Sequence, residues 1–79
     1  MFIHLGDDKL ITDKGVIGIF DIDTSTVNKA TRDFLAKAEK EKRVEYVNYD
    51  LPKSFVVTDE KVYVSPINTS TIYKRIKTL

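Results

Sequence analysis

The stretch Lys53-Ser54-Phe55-Val56-Val57-Thr58-Asp59-Glu60-Lys61-Val62-Tyr63-Val64-Ser65-Pro66 leaves little choice of fold. Two runs rich in β-branched and aromatic residues flank a short charged break, which is the signature of a β-hairpin. Neither run alternates cleanly, because Phe55, Val56 and Val57 are consecutive and so are Val62, Tyr63 and Val64. Both faces of the ribbon must then be covered, since an isolated hairpin is marginal in water. The break Thr58-Asp59-Glu60-Lys61 has no glycine for a primed turn, so a longer or type I-based loop is expected. Pro66 has no N–H to donate and ends the ladder.

The remaining residues supply further short elements. Phe2 to Leu5 and Lys9 to Thr12 read as a first hairpin around Gly6-Asp7-Asp8. Val16-Ile17-Gly18-Ile19-Phe20-Asp21-Ile22 is apolar at both parities until Asp21, the pattern of a strand buried on both faces, and predicts the centre of the sheet, with Gly18 marking a bulge or close approach. Thr24, Ser25 and Thr26 are candidate N-caps for a helix over 27–42, whose apolar stripe is Val27, Ala30, Thr31, Phe34, Leu35 and Ala38. Val44 to Val47 reads as a strand, and 48–52 as the loop into the second hairpin. Asn68 or Thr69 can cap a last helix with Ile72, Tyr73, Ile76 and Leu79 on its apolar side, and Lys74, Arg75 and Lys77 near its C-terminus favour the helix dipole. The expected architecture is a single α+β domain over residues 1–79: a small, largely antiparallel sheet of five or six strands, one inserted helix and one C-terminal helix.

With 79 residues and no cysteine, the domain must hold by packing alone. No apolar run reaches the ~20 residues needed to span a bilayer, and the opening Met1-Phe2-Ile3-His4-Leu5 lacks the length and basic flank of a signal peptide, so a cytoplasmic protein with no membrane partner is expected. Thirteen cations against twelve anions give a net charge of +1, but the distribution is uneven. Residues 1–25 carry two cations and five anions (−3), residues 26–48 six and four (+2), and residues 49–79 five and three (+2).

Little here suggests an enzyme. Asp21-x-Asp23 after a strand is similar to the phosphotransferase signature of haloacid dehalogenases, in which one Asp is nucleophile and the other acid/base beside Mg²⁺. Thr24 stands where that motif continues with glycine, and too few residues follow to build the doubly wound sheet that supplies the remaining groups. Helix capping is the reading adopted for both carboxylates. His4 is the one histidine and has no second ligand or base near it in sequence, so a structural role is assigned. No phosphate loop or metal-ligand spacing is present, and no cofactor or small-molecule substrate is expected.

The opening Met1-Phe2-Ile3-His4-Leu5-Gly6, the run Pro52-Lys53-Ser54-Phe55-Val56-Val57-Thr58-Asp59 and the run Val62-Tyr63-Val64-Ser65-Pro66-Ile67 together resemble the bacterial Rem family of extracellular-matrix (biofilm) regulators, in its RemB-like branch. The resemblance implies a transcriptional regulator that binds double-stranded DNA with weak sequence preference, as a ring-shaped homo-oligomer larger than a dimer. It also implies phosphate contacts from Lys14 and Lys53. The segment Asn48-Tyr49-Asp50-Leu51-Pro52 departs from the family pattern, having no arginine and carrying an acid. Lys29, Arg32, Lys40 and Arg43, on the polar side of the inserted helix, form a second candidate DNA surface, bordered by Asp33 and Glu39. An oligomeric scaffold that does not bind DNA is the alternative.

Overall fold

The computed structural model describes residues 2–6, 9–25, 27–48 and 50–77. The chain runs β1 (Phe2–Gly6), β2 (Lys9–Thr12), β3 (Val16–Asp21), α1 (Ile22–Ser25), α2 (Lys29–Lys40), β4 (Val44–Tyr46), β5 (Ser54–Thr58), β6 (Val62–Ser65) and α3 (Thr69–Lys77). The fold is α+β, as expected. The strands form two sheets, a hairpin β1-β2 and a four-stranded sheet in the order β3-β5-β6-β4. All pairings are antiparallel except β4 with β6, so β3, β6 and β4 run in one direction.

The hairpin of β5 and β6 fills the middle of the larger sheet, and its consecutive apolar residues feed two cores. On one face Phe55, Val57, Val62 and Val64 pack with Ala38 and Leu35 of α2 and with Val44. On the other, Val56 packs with Ile3, Leu5 and Ile11 of the small sheet and with Ile72 of α3. The molecule is therefore three layers: α2, the four-stranded sheet, and a layer built from β1-β2 and α3. The turn between β5 and β6 is closed by Thr58. Its N–H donates to the Lys61 carbonyl at 2.8 Å, and its hydroxyl accepts from the Lys61 N–H at 2.9 Å.

The structure corrects the expectation that β3 lies at the sheet's centre. It is an edge strand, and Ile17 is 70% exposed. Its apolar residues at both parities have another origin: the register shifts between Val16 and Gly18, so Ile17 is an extra residue in the strand. Val16 and Ile19 then face the hairpin layer, while Ile17 and Phe20 face α2. The Phe20 ring folds back over Gly18, where a Cβ would lie 2.6 Å from it, and stacks on Phe55 with ring centroids 5.2 Å apart.

Helix α2 is also corrected. Its N-cap is Asn28, whose Oδ1 accepts from the N–H groups of Ala30 (2.8 Å) and Thr31 (3.4 Å). Thr24 and Ser25 belong instead to the single turn α1, and Thr26 lies outside the described residues. The apolar stripe is only half used. Leu35 and Ala38 reach the core, whereas Ala30 and Phe34 remain exposed and Val27, ahead of the helix, is 75% exposed. Asn68 caps α3 by accepting from the Thr71 N–H at 2.9 Å, and Ile72 is fully buried, while Tyr73 is half exposed. The predicted turn at Asp7 and Asp8, and Leu79 of the C-terminal apolar side, fall outside the described residues.

Candidate functional site

Lys14 lies in the turn between β2 and β3, and Lys53 immediately precedes β5. Val16 pairs with Thr58 and Asp21 with Ser54, so the two lysines stand at opposite ends of β5. Five strand residues separate those ends, roughly 17 Å at the usual rise per residue. The structure therefore does not bring them together within one chain. Both are exposed, and neither ammonium has a partner among the described residues. Acidic groups stand near each: Asp59 and Glu60 share a shallow depression with Lys14, and Asp21 and Asp23 share another with Lys53.

The cations of the helix face are mostly engaged. Lys29 pairs with Asp33 at 2.8 Å, one turn away, and Arg43 pairs with Glu41 at 2.9 Å. Arg32 donates from Nη1 to the Val27 carbonyl at 3.0 Å, across the entry to α2. Lys40 is exposed and without a partner among the described residues.

The carboxylates Asp21 and Asp23 do not converge on a reaction centre. Asp21 Oδ1 accepts from the Thr24 N–H at 3.1 Å, which caps the turn α1, and Asp23 sits inside that turn. Among the described residues no group of three histidine, cysteine or acidic side chains is placed to hold a metal ion. His4 is half-buried beneath α3, and Arg75 Nη1 donates to its carbonyl at 2.8 Å and lies 3.3 Å from its Nδ1. Arg75 thus ties α3 to β1, beyond any interaction with the helix dipole. No helix among the described residues is long and apolar enough to cross a membrane.

Two features escaped the sequence. One is a carboxylate bridge: Glu45 on β4 binds Lys9 of β2 at 2.7 Å and Lys61 of the β5-β6 turn at 3.2 Å, while the Lys9 ammonium stands 5.0 Å from the Tyr63 ring centroid. The hydrogen bond from Lys9 holds the Glu45 carboxyl below the usual range, with Lys61 adding to it against the opposing effect of burial. The same bond raises the Lys9 ammonium. Nothing local in the sequence signals ionic partners 36 and 16 residues apart. The other feature is an open apolar groove of about 280 Å³ between β3 and the first half of α2, lined by Ile17, Phe20, Ala30, Phe34, Phe55 and Val57. Its signal in the sequence was the surplus of apolar residues in β3 and α2, read there as core.

These features define a class: a small three-layer α+β domain that carries unpaired surface cations and leaves apolar surface open at one sheet edge. A family model described as RemA-like, "Extracellular matrix regulatory protein A-like", matches residues 2–76, and the chain belongs to this family. Among curated proteins, "Extracellular matrix regulatory protein B" of Bacillus subtilis (strain 168) is 43% identical over 75 residues, which cover 95% of this chain and 89% of the relative. The similarity is to the RemB-like branch.

Proposed function

We propose that this protein regulates extracellular-matrix genes by binding duplex DNA as a ring-shaped oligomer, with phosphate contacts repeated from subunit to subunit. Family membership supports the regulatory role. The observation that carries the DNA reading is the contrast among its cations. Lys14 and Lys53 keep unpaired ammonium groups among the described residues, whereas on the helix face Lys29 and Arg43 are neutralised by Asp33 and Glu41 and Arg32 is held by the Val27 carbonyl, leaving only Lys40 of the four candidates there without a partner. One or two lysines bind a duplex weakly, because each phosphate neutralised contributes only a point-charge attraction and the release of counterions. Repetition around an oligomer multiplies the simultaneous contacts and raises the effective concentration of each next one.

A salt titration against duplex DNA tests this. Affinity should fall steeply with salt and depend little on sequence. Lys14→Ala with Lys53→Ala should weaken binding across all sequences and flatten the slope of log affinity against log salt by about 0.9 for every phosphate that is no longer neutralised. Because the two lysines stand at opposite ends of β5, the single variants should differ, the larger effect marking the end that faces DNA. Arg32→Ala with Lys40→Ala should change the slope less. A more damaging helix pair would move the interface to α2. No binding at low salt would favour the scaffold reading, for which the acidic neighbours of Lys53 and the arginine-free segment before it are the physical reason.

A further inference from the structure

We infer that Lys42 is a further contact to the DNA backbone, and that the end of the large sheet it shares with Lys14 is the face a subunit turns to the duplex. This deepens the DNA reading above and rests on it, by adding a contact outside the candidates already named and by choosing between the two ends of β5.

Among the described residues Lys42 is the one residue other than glycine with a positive φ, at 60°. A side chain in this left-handed conformation crowds its own backbone, whereas glycine adopts it freely. The position asks for glycine on structural grounds and holds a lysine. Backbone strain of this kind clusters at binding sites, where the side chain has a task outside the fold. Nothing within the described fold uses this one: it is exposed, and its ammonium has no partner among the described residues. The neighbouring Glu41 is taken by Arg43 at 2.9 Å.

Topology brings Lys42 to the same end as Lys14. Each stands two residues ahead of a strand, Lys14 of β3 and Lys42 of β4, and these strands run in the same direction. Val44 pairs with Val62, Val62 with Val57 and Val57 with Gly18, so the starts of β3 and β4 lie at one end of the sheet. The loops there are tied together: the Val62 N–H donates to the Arg43 carbonyl and the Asp59 N–H to the Gly15 carbonyl, both at 2.9 Å. In the order β3-β5-β6-β4 three strand spacings separate the two lysines, roughly 14 Å. Two ammonium groups on flexible stems at that separation suit phosphates on either side of a groove about 12 Å wide.

The surroundings of Lys14 and Lys53 do not by themselves decide the side. Lys14 shares its depression with Asp59 and Glu60, as Lys53 does with Asp21 and Asp23. Lys42 makes the difference, because it gives the Lys14 end a second free ammonium, whereas no other lysine or arginine shares the depression of Lys53. Between the two free cations Lys61 is occupied by Glu45 at 3.2 Å, so phosphate attraction falls at the outer ends of this row and not at its middle.

A labelled duplex of mixed sequence, titrated with protein at several salt concentrations, tests this on the unmodified chain, Lys42→Gly, Lys42→Gln and Lys42→Arg, each melted in parallel. Lys42→Gly should melt higher than the unmodified chain and yet bind several-fold more weakly, with the slope of log affinity against log salt shallower by about 0.9 for every phosphate no longer neutralised. Lys42→Gln keeps the strain and loses the charge, so it should lose the same affinity without the gain in melting temperature, and it carries the test should Lys42→Gly fail to fold. Lys42→Arg should bind as the unmodified chain does. Of the other two lysines, Lys14→Ala should cost more affinity than Lys53→Ala. If Lys42→Gly and Lys42→Gln keep the unmodified affinity and slope, Lys42 only ends the helix and the inference is wrong. A greater loss from Lys53→Ala would put the duplex at the other end of β5 and overturn it while the DNA reading stands. No binding by the unmodified chain at low salt would sink the DNA reading itself and this inference with it.

Discussion

Ser65 is the residue on which the two sheets meet. It is fully buried at the end of β6, where its hydroxyl donates to the Leu5 carbonyl at 2.6 Å and accepts from the Ile67 N–H at 3.1 Å. Ser54, its partner across the ladder, donates to the Ile67 carbonyl at 2.7 Å. The two serines fix the chain just before α3 and satisfy backbone groups that have no sheet partner. Ser65→Ala removes little volume but strands the buried Leu5 carbonyl and the partly buried Ile67 N–H, so it should lower stability by about 2 kcal/mol. A urea unfolding midpoint measures that loss, and a change of a few tenths would mean that water replaces the hydroxyl. Gly18 is a residue-scale device of another kind, where the absence of a Cβ lets the Phe20 ring lie down and leaves the groove open.

At the scale of elements, the end of α2 carries its own strain. The N–H of Arg43 bonds the Ala38 carbonyl at 2.9 Å and that of Lys42 bonds the Glu39 carbonyl at 3.0 Å, the pair of bonds that makes a Schellman cap. The cap needs a left-handed residue, and here it is Lys42, at φ 60°. Glycine adopts that conformation without the Cβ penalty, so Lys42→Gly should raise stability by about 0.5–1 kcal/mol despite the entropy it adds to the unfolded chain. Thermal melting reads this directly. The bridge Lys9–Glu45–Lys61 joins the small sheet to the edge of the large one and gives the fold a pH dependence. Glu45 titrates lower when folded, so its contribution is present above the ordinary glutamate range and fades as pH falls through that range. Lys9 titrates higher when folded, so its part is lost only as pH rises past the ordinary lysine range. Both partners are about one-third exposed, which lets salt screen them and limits the pair to under about 1 kcal/mol. Glu45→Gln should flatten the stability profile where pH falls through and below the ordinary glutamate range, and leave its neutral part lower by that amount.

At the scale of the molecule, a chain of 79 residues buries only about 60% of the surface that its unfolded form exposes. Ile17, Phe20, Val27 and Phe34 all stay open on the side of β3 and α2, so part of the apolar surface that would stabilise a larger domain is left uncovered by the chain itself and, on the oligomeric reading proposed above, would be covered by association. Melting temperature should therefore rise with protein concentration. A tenfold increase changes the association term by about 1.4 kcal/mol, which for a domain of this size is roughly 5 °C. Calorimetry over two decades of concentration gives the answer, and a constant melting temperature would place the whole stability within one chain.

What the sequence determined by itself is local. The hairpin of β5 and β6 with its two-faced apolar runs, the first hairpin, the bulge at Gly18, the strand break at Pro66 and the Asn68 cap follow from side-chain size, branching and hydrogen-bonding groups within a few residues of each other. The resemblance to the Rem family was legible in the same runs. Only the tertiary structure decided the rest. Apolar residues at both parities mean burial on two faces or a bulge beside an uncovered face, and β3 is the second case because the sheet order leaves it at an edge. The stripe of α2 predicts that something covers Phe34 without saying whether it is this chain. The opposite placement of Lys14 and Lys53 and the bridging of Lys9, Glu45 and Lys61 depend on strand register and layer order, which are set by which surfaces pack together and not by any run of neighbouring residues.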